Sequence, residues 1–131
     1  MRTKTPTMSV LVADPDIVSQ QQLIACLGTQ YQVRTATSLE GAWGIIAQAR
    51  PRTLIIEVNQ PDGDGVQLIE QLRSDPATRG MILICVTTRR TVRDKIRGFQ
   101  AGADDYIIKP INPDSFATRL ALLERLRQLT S

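Results

Sequence analysis

Four polar side chains close four apolar runs. Asp14 follows Met8-Ser9-Val10-Leu11-Val12-Ala13, Glu57 follows Thr53-Leu54-Ile55-Ile56, Thr87 follows Met81 to Val86, and Lys109 follows Tyr106-Ile107-Ile108. Converging on one edge, two carboxylates, a hydroxyl and an ammonium would form a polar cluster on an apolar scaffold. Lys109, directly before Pro110, is placed to reach a carboxylate or an anion. Left apart, the same residues are ordinary turn and cap residues. Other chemistries are excluded by composition. The chain has no histidine, so Ser–His or Cys–His catalysis and Cys/His zinc sites are ruled out. Cys26 and Cys85 form no C-x-x-C motif and are expected to be two buried free thiols in a reducing cytosol.

Elements that could bring these residues together follow in strict alternation. Strands are predicted at 8–13, 31–36, 53–58, 81–86 and 106–109. Helices are predicted after Asp14, stopped by Gly28, then after Ser38, at 65–73, at 91–101 and at 113–129. Ile17, Leu23, Ile24 and Leu27 mark the first helix. Thr37-Ser38-Leu39-Glu40 reads as a capping box for the second, and Pro113 suits the first turn of the last. Five strands alternating with five helices imply an α/β fold, a parallel sheet covered on both faces. In such sheets the site lies at the carboxyl ends of the strands, where the four polar residues fall.

The chain has 131 residues, 42% hydrophobic and 22% charged, with a net charge of +3. That is the composition of one soluble globular domain, expected over residues 8–129 behind a disordered tail at residues 1–7. No apolar run approaches the ~20 residues of a membrane span, and the tail lacks the apolar segment of a signal peptide. Arg89, Arg90, Arg93, Lys95 and Arg97 fall within nine residues. They read as a solvated helix face or as a docking patch for an acidic partner. No aromatic residues interleave with them, so direct nucleic-acid binding is not expected. A flavin or nucleotide site after the first strand is disfavoured, because no G-x-G-x-x-G follows it.

Val10-Leu11-Val12-Ala13-Asp14, Pro61-x-x-Asp64-Gly65, Val86-Thr87-Thr88 and Gly102-Ala103-Asp104-Asp105-Tyr106 through Lys109-Pro110 together resemble the receiver domain of bacterial two-component response regulators. The resemblance covers residues 8–127. It implies a flavodoxin-like, doubly wound five-stranded sheet of order 2-1-3-4-5. It puts Glu57 at the phosphoacceptor position and makes Thr87 and Tyr106 the switch residues. Lys109 becomes the partner of the phosphoryl group and acceptor carboxylate, and Asp14, Glu57 and Asn59 the metal positions.

Two departures set this chain apart. Glutamate stands for the acceptor aspartate, and Pro15 replaces one metal acid. The extra methylene shifts the carboxylate by about 1 Å, and misplacements of that size can cost ~100-fold in rate. Asp16 is better suited to capping the following helix than to replacing the missing ligand. The expectation is a pseudo-receiver that is not an enzyme, has no cofactor and binds magnesium weakly or not at all. Its site is either locked in a mimic of the modified state or silent. The alternative is a conventional magnesium-dependent phosphoacceptor using Glu57. Expected partners are proteins: a histidine kinase, an output domain, or a second copy. Contacts would run through the fourth helix, last strand and last helix, where Leu122, Leu126 and Leu129 form a second apolar stripe beside Phe116, Leu120 and Leu123. The expected location is cytoplasmic, and the chain is expected to be part of a longer regulator.

Overall fold

The computed structural model describes residues 8–130; the expected tail at residues 1–7 lies outside them. The elements run β1 (Met8–Ala13), α1 (Ile17–Leu27), β2 (Tyr31–Ala36), α2 (Leu39–Gln48), β3 (Thr53–Ile56), β4 (Asn59–Gln60), β5 (Gly63–Asp64), α3 (Gly65–Ser74), β6 (Ile82–Thr87), α4 (Val92–Ala101), β7 (Asp105–Ile108) and α5 (Pro113–Thr130). Five strands form a wholly parallel sheet in the order β2-β1-β3-β6-β7. This is the expected flavodoxin-like order once the antiparallel β4–β5 hairpin is set aside. That hairpin is an addition to the predicted elements. Two residues per strand are too few to show a period of two.

Because successive strand residues point to opposite faces, the sheet separates two cores. Leu11, Leu54, Ile56, Leu83 and Cys85 pack with α2, α3 and α4 on one face. Val10, Val12, Ile55, Ile84 and Val86 meet Leu23, Leu27, Phe116 and Leu120 on the other. Ile17 departs from its expected place in the core and is exposed, as is Val18; both lie in the first turn of α1, where Val18 lines the cleft over the strand ends. Cys26 is only part-buried, against expectation, whereas Cys85 is fully buried.

Side chains start most helices. Asp16, Asp64 and Thr91 cap α1, α3 and α4. The box expected at Thr37–Glu40 is not formed. Ser38 is the cap and accepts from the Gly41 amide (3.0 Å). The Leu39 and Glu40 amides are taken instead by the Asp62 carboxylate, at 2.9 and 3.0 Å. The hairpin therefore holds the start of α2. After α1 the chain turns at Gly28 with φ +78°, where a side chain would be strained.

Candidate functional site

Register places the site. Ala13, Ile56, Cys85 and Tyr106 lie side by side across β1, β3, β6 and β7. Asp14 and Glu57 therefore emerge together where the two central strands end. The Glu57 amide prolongs the ladder to the Ala13 carbonyl (3.0 Å). Lys109 enters from the end of β7, and its Nζ donates to Asp14 Oδ2 (2.8 Å) and Glu57 Oε1 (2.9 Å). The other Glu57 oxygen, Oε2, accepts from the Thr87 hydroxyl and from the Asn59 amide (3.0 Å). Side-chain exposure is 1% for Asp14, 7% for Glu57 and 16% for Lys109. Burial alone would lower the Lys109 pKa. Its hydrogen bonds to Asp14 and Glu57, together with their charges, outweigh that and raise it above the ordinary lysine value.

The structure thus brings Asp14, Glu57, Thr87 and Lys109 into one network, with Asn59 at its rim. Tyr106, beside Cys85 on the neighbouring strand, is buried, and its hydroxyl donates to the Arg89 carbonyl (2.9 Å). Burial first, then the nearby acidic groups, push the Tyr106 pKa up to about 12. The Tyr106 ring fills a notch in α4: a Cβ at Gly98 would stand 2.8 Å from it. Asp16 turns to its helix, bonding the Val18 amide (2.9 Å) and the Ser19 hydroxyl (3.3 Å).

Three further residues join the site. The Arg89 amide donates to Thr87 Oγ1 (3.2 Å), and its guanidinium Nε to Asn59 Oδ1 (2.7 Å). With its carbonyl on Tyr106, Arg89 ties three site residues together. Read within the basic run, it carries no sign of this. Gln20 donates to the carbonyls of Asp14 (2.7 Å) and Ala36 (3.1 Å). Gln60 does the same for Ala13 (3.1 Å) and Glu57 (2.7 Å). A glutamine amide has two donors and suits two carbonyls at strand ends. Gln20 shares a helix face with Leu23 and Leu27, a spacing that signals its burial.

A cleft of about 550 Å³ opens over the network, lined in part by Pro15, Asn59, Thr88 and Lys109. Among the described residues no three Asp, Glu, Cys or His side chains converge as a metal-ligand set. The donors suit a magnesium ion poorly. Pro15 offers no side-chain oxygen, Asp16 is committed to its helix, and an ammonium occupies the space between the two carboxylates. Beyond the site, the other face of the basic run is exposed. Arg97 pairs with Asp64 (2.7 Å). Val92, Ile96 and Phe99 of α4 and Leu122, Leu126 and Leu129 of α5 are exposed, while Phe116 and Leu120 are buried. No helix among the described residues is long and apolar enough to cross a membrane.

Comparison with known proteins agrees with this geometry. Residues 10–121 match the family described as "Response regulator receiver domain". "Response regulator MprA" of Mycobacterium avium is 34% identical over 122 residues, covering 92% of this chain and 53% of the relative. "Transcriptional regulatory protein AruR" of Pseudomonas aeruginosa is 38% identical over 125 residues, 90% of this chain and 50% of the relative. The chain thus spans about half the length of the curated relatives it matches. A putative response regulator from Chloroflexus aurantiacus superposes with a TM-score of 0.83 at 31% identity, covering 94% of this chain and 99% of that one. A CheY-like receiver domain from Methanospirillum hungatei shares the fold with a TM-score of 0.88 at 22% identity, covering 96% and 100%.

Proposed function

The chain belongs to the response regulator receiver domain family, and from that premise we propose that it is a pseudo-receiver. It serves two-component signalling through protein contacts and takes no phosphoryl group. The observation that carries this reading is the position of the Glu57 carboxylate. One of its oxygens holds Lys109 and the other accepts from Thr87. In the family these two groups meet the phosphoryl group. Glu57, longer by one methylene than aspartate, occupies part of that space and stands in for the modification.

In this reading the site is locked rather than silent. Thr87 is drawn inward, Tyr106 follows it, and the α4–β7–α5 face is held in one state. Two conformers separated by a few kcal/mol are readily biased by one fixed contact. The pair selects a conformer whether or not it adds net stability. Magnesium binds weakly or not at all, because Pro15 takes the place of a carboxylate ligand. The partners are proteins met through the exposed apolar residues of α4 and α5: a histidine kinase, an output domain or a second copy. The place of action is the cytoplasm.

Intact mass after incubation with acetyl phosphate and magnesium tests the reading. The mass is expected to stay unchanged. A stable phosphoryl gain that Glu57→Gln abolishes would establish the conventional phosphoacceptor instead. Glu57→Ala tests the lock. Its release of Lys109 should turn the Tyr106 ring outward, visible in its ring resonances, and alter self-association. Unchanged ring signals and self-association would leave a silent scaffold.

A further inference from the structure

Two hollows meet at Arg50, at the opposite end of the sheet from Glu57. The first, about 380 Å³, is lined by Arg50, Pro51, Arg52, Gly80, Met81 and Arg127 among others; among the described residues no carboxylate lines it, although its Arg127 is paired with Asp104 (3.0 Å). The second, about 510 Å³, lies beside α2 and is lined by Trp43, Ile46, Ala47, Asp75 and Thr78. Arg50 and Ala77 line both, and the Arg50 guanidinium donates to the Ala77 carbonyl on the border between them. Both volumes fall in the ~300–1,000 Å³ range of small-molecule sites.

The two hollows differ in chemistry. In the first, Arg127 is positioned by the carbonyls of Gly80 (3.0 Å) and Met81 (2.8 Å) and by the Asp104 carboxylate (3.0 Å), which meets part of its charge and leaves Arg50 and Arg52 the larger share. Arg50 is positioned by Ala77, and Arg52 projects from the start of the β3 segment. Guanidinium forks match the oxygens of a phosphate, and forks already held lose less freedom on binding. In the second, the chain's single tryptophan stands 39% exposed, a flat face for a planar ring. The Asp75 carboxylate there accepts from the Ala77 amide (2.9 Å) and can also accept from sugar hydroxyls.

We propose that these joined hollows bind a nucleotide, with its phosphates among Arg50, Arg52 and Arg127 and its base against Trp43. A phosphate alone would need only the first hollow; the tryptophan beside it is what points to a nucleotide. The missing G-x-G-x-x-G does not bear on this place, since that loop belongs to the other end of the sheet. The site is independent of the reading of Glu57.

Trp43, the only tryptophan, reports on binding. The whole chain is titrated with ATP in the presence of a chelator, alongside inorganic triphosphate and adenosine. ATP should quench Trp43 saturably, with amide shifts at residues 43–52 and 75–82. Triphosphate should compete without quenching. Arg52→Ala, an exposed change, should weaken ATP about tenfold, the equivalent of ~1.4 kcal/mol, when measured well below its unfolding midpoint. Trp43→Leu, followed by calorimetry, should weaken ATP and leave triphosphate unaffected. The proposal is overturned by any of three results. One is no saturable binding at millimolar ATP. Another is shifts centred on Glu57 and Lys109. The third is triphosphate binding as tightly as ATP with Trp43 silent, which would leave a bare oxyanion site.

Discussion

At the carboxyl end of the sheet one ammonium is held between two carboxylates; at the amino end one carboxylate is held between two guanidinium groups. Asp104 Oδ2 accepts from Arg73 (2.9 Å), Arg127 (3.0 Å) and the Leu83 amide (2.9 Å). The arginines then reach the carbonyls of Arg79, Gly80, Met81 and Gly102. The charges are mirrored, but the partners differ in kind. Lys109 is bonded to two side chains, which can turn while the backbone stays still. Arg73 and Arg127 are bonded largely to carbonyls, which move only with the loop that carries them. The first arrangement can take a second state. The second pins the α3–β6 loop in one.

Lys109→Met separates the two ends most sharply. It leaves Asp14 and Glu57 facing each other without a cation, a loss of about 3–5 kcal/mol at neutral pH. Denaturant unfolding measures it, and a deficit below about 1 kcal/mol would dissolve the contrast. The native protein should lose stability at high pH. The folded-state pKa of Lys109 is raised above 10.5, so its contribution is complete below that value and lost as pH climbs through the folded one.

Asp104→Ala should cost less, about 2 kcal/mol. Asp104 is a fifth exposed, and its arginines keep their carbonyls. Amide shifts should stay within residues 73–83, 102–105 and 123–128 and leave Glu57 and Tyr106 untouched. Shifts reaching Tyr106 would show that the two ends are coupled. Asp62→Ala should have the smallest effect, a faster hydrogen exchange of the Leu39 and Glu40 amides with no global change. Those two amides hold the Asp62 pKa below 3.8. Its hold on α2 is therefore present above 3.8 and lost as pH falls through the lower folded value. Exchange at the two amides, followed on acidification, checks this.

The carboxyl end was largely legible in the chain, because each of its members closes an apolar run. Asp14, Glu57, Thr87 and Lys109 needed only the order of the strands to meet. The amino end was not. Arg73, Asp104 and Arg127 are far apart in sequence, and each reads as an ordinary surface charge on its own element. Asp104 stood inside the Gly102–Pro110 motif of the resemblance without a role. Arg89 was hidden in the same way, because its backbone carries two of its three contacts and backbone contacts leave no mark on residue type. Ser38 and Thr37 can both cap a helix by chemistry. Asp62, distant in sequence, takes the Leu39 and Glu40 amides, and the Glu40 amide is the one a Thr37 box would have capped.

Gly98 has a consequence for how Tyr106 can move. The ring occupies a notch that exists only because α4 has no side chain there, with the Cys85 sulfur beside it. An outward ring would leave that notch as a void, and voids in a packed interior cost about 24 cal/mol per Å³ unless the walls close in. The walls here are a helix backbone and a central strand, which close poorly. Shape therefore sets a preference between the two positions of the ring before any charge is considered. A partner that favours the outward ring must either fill the hollow left behind or draw α4 down onto the sheet.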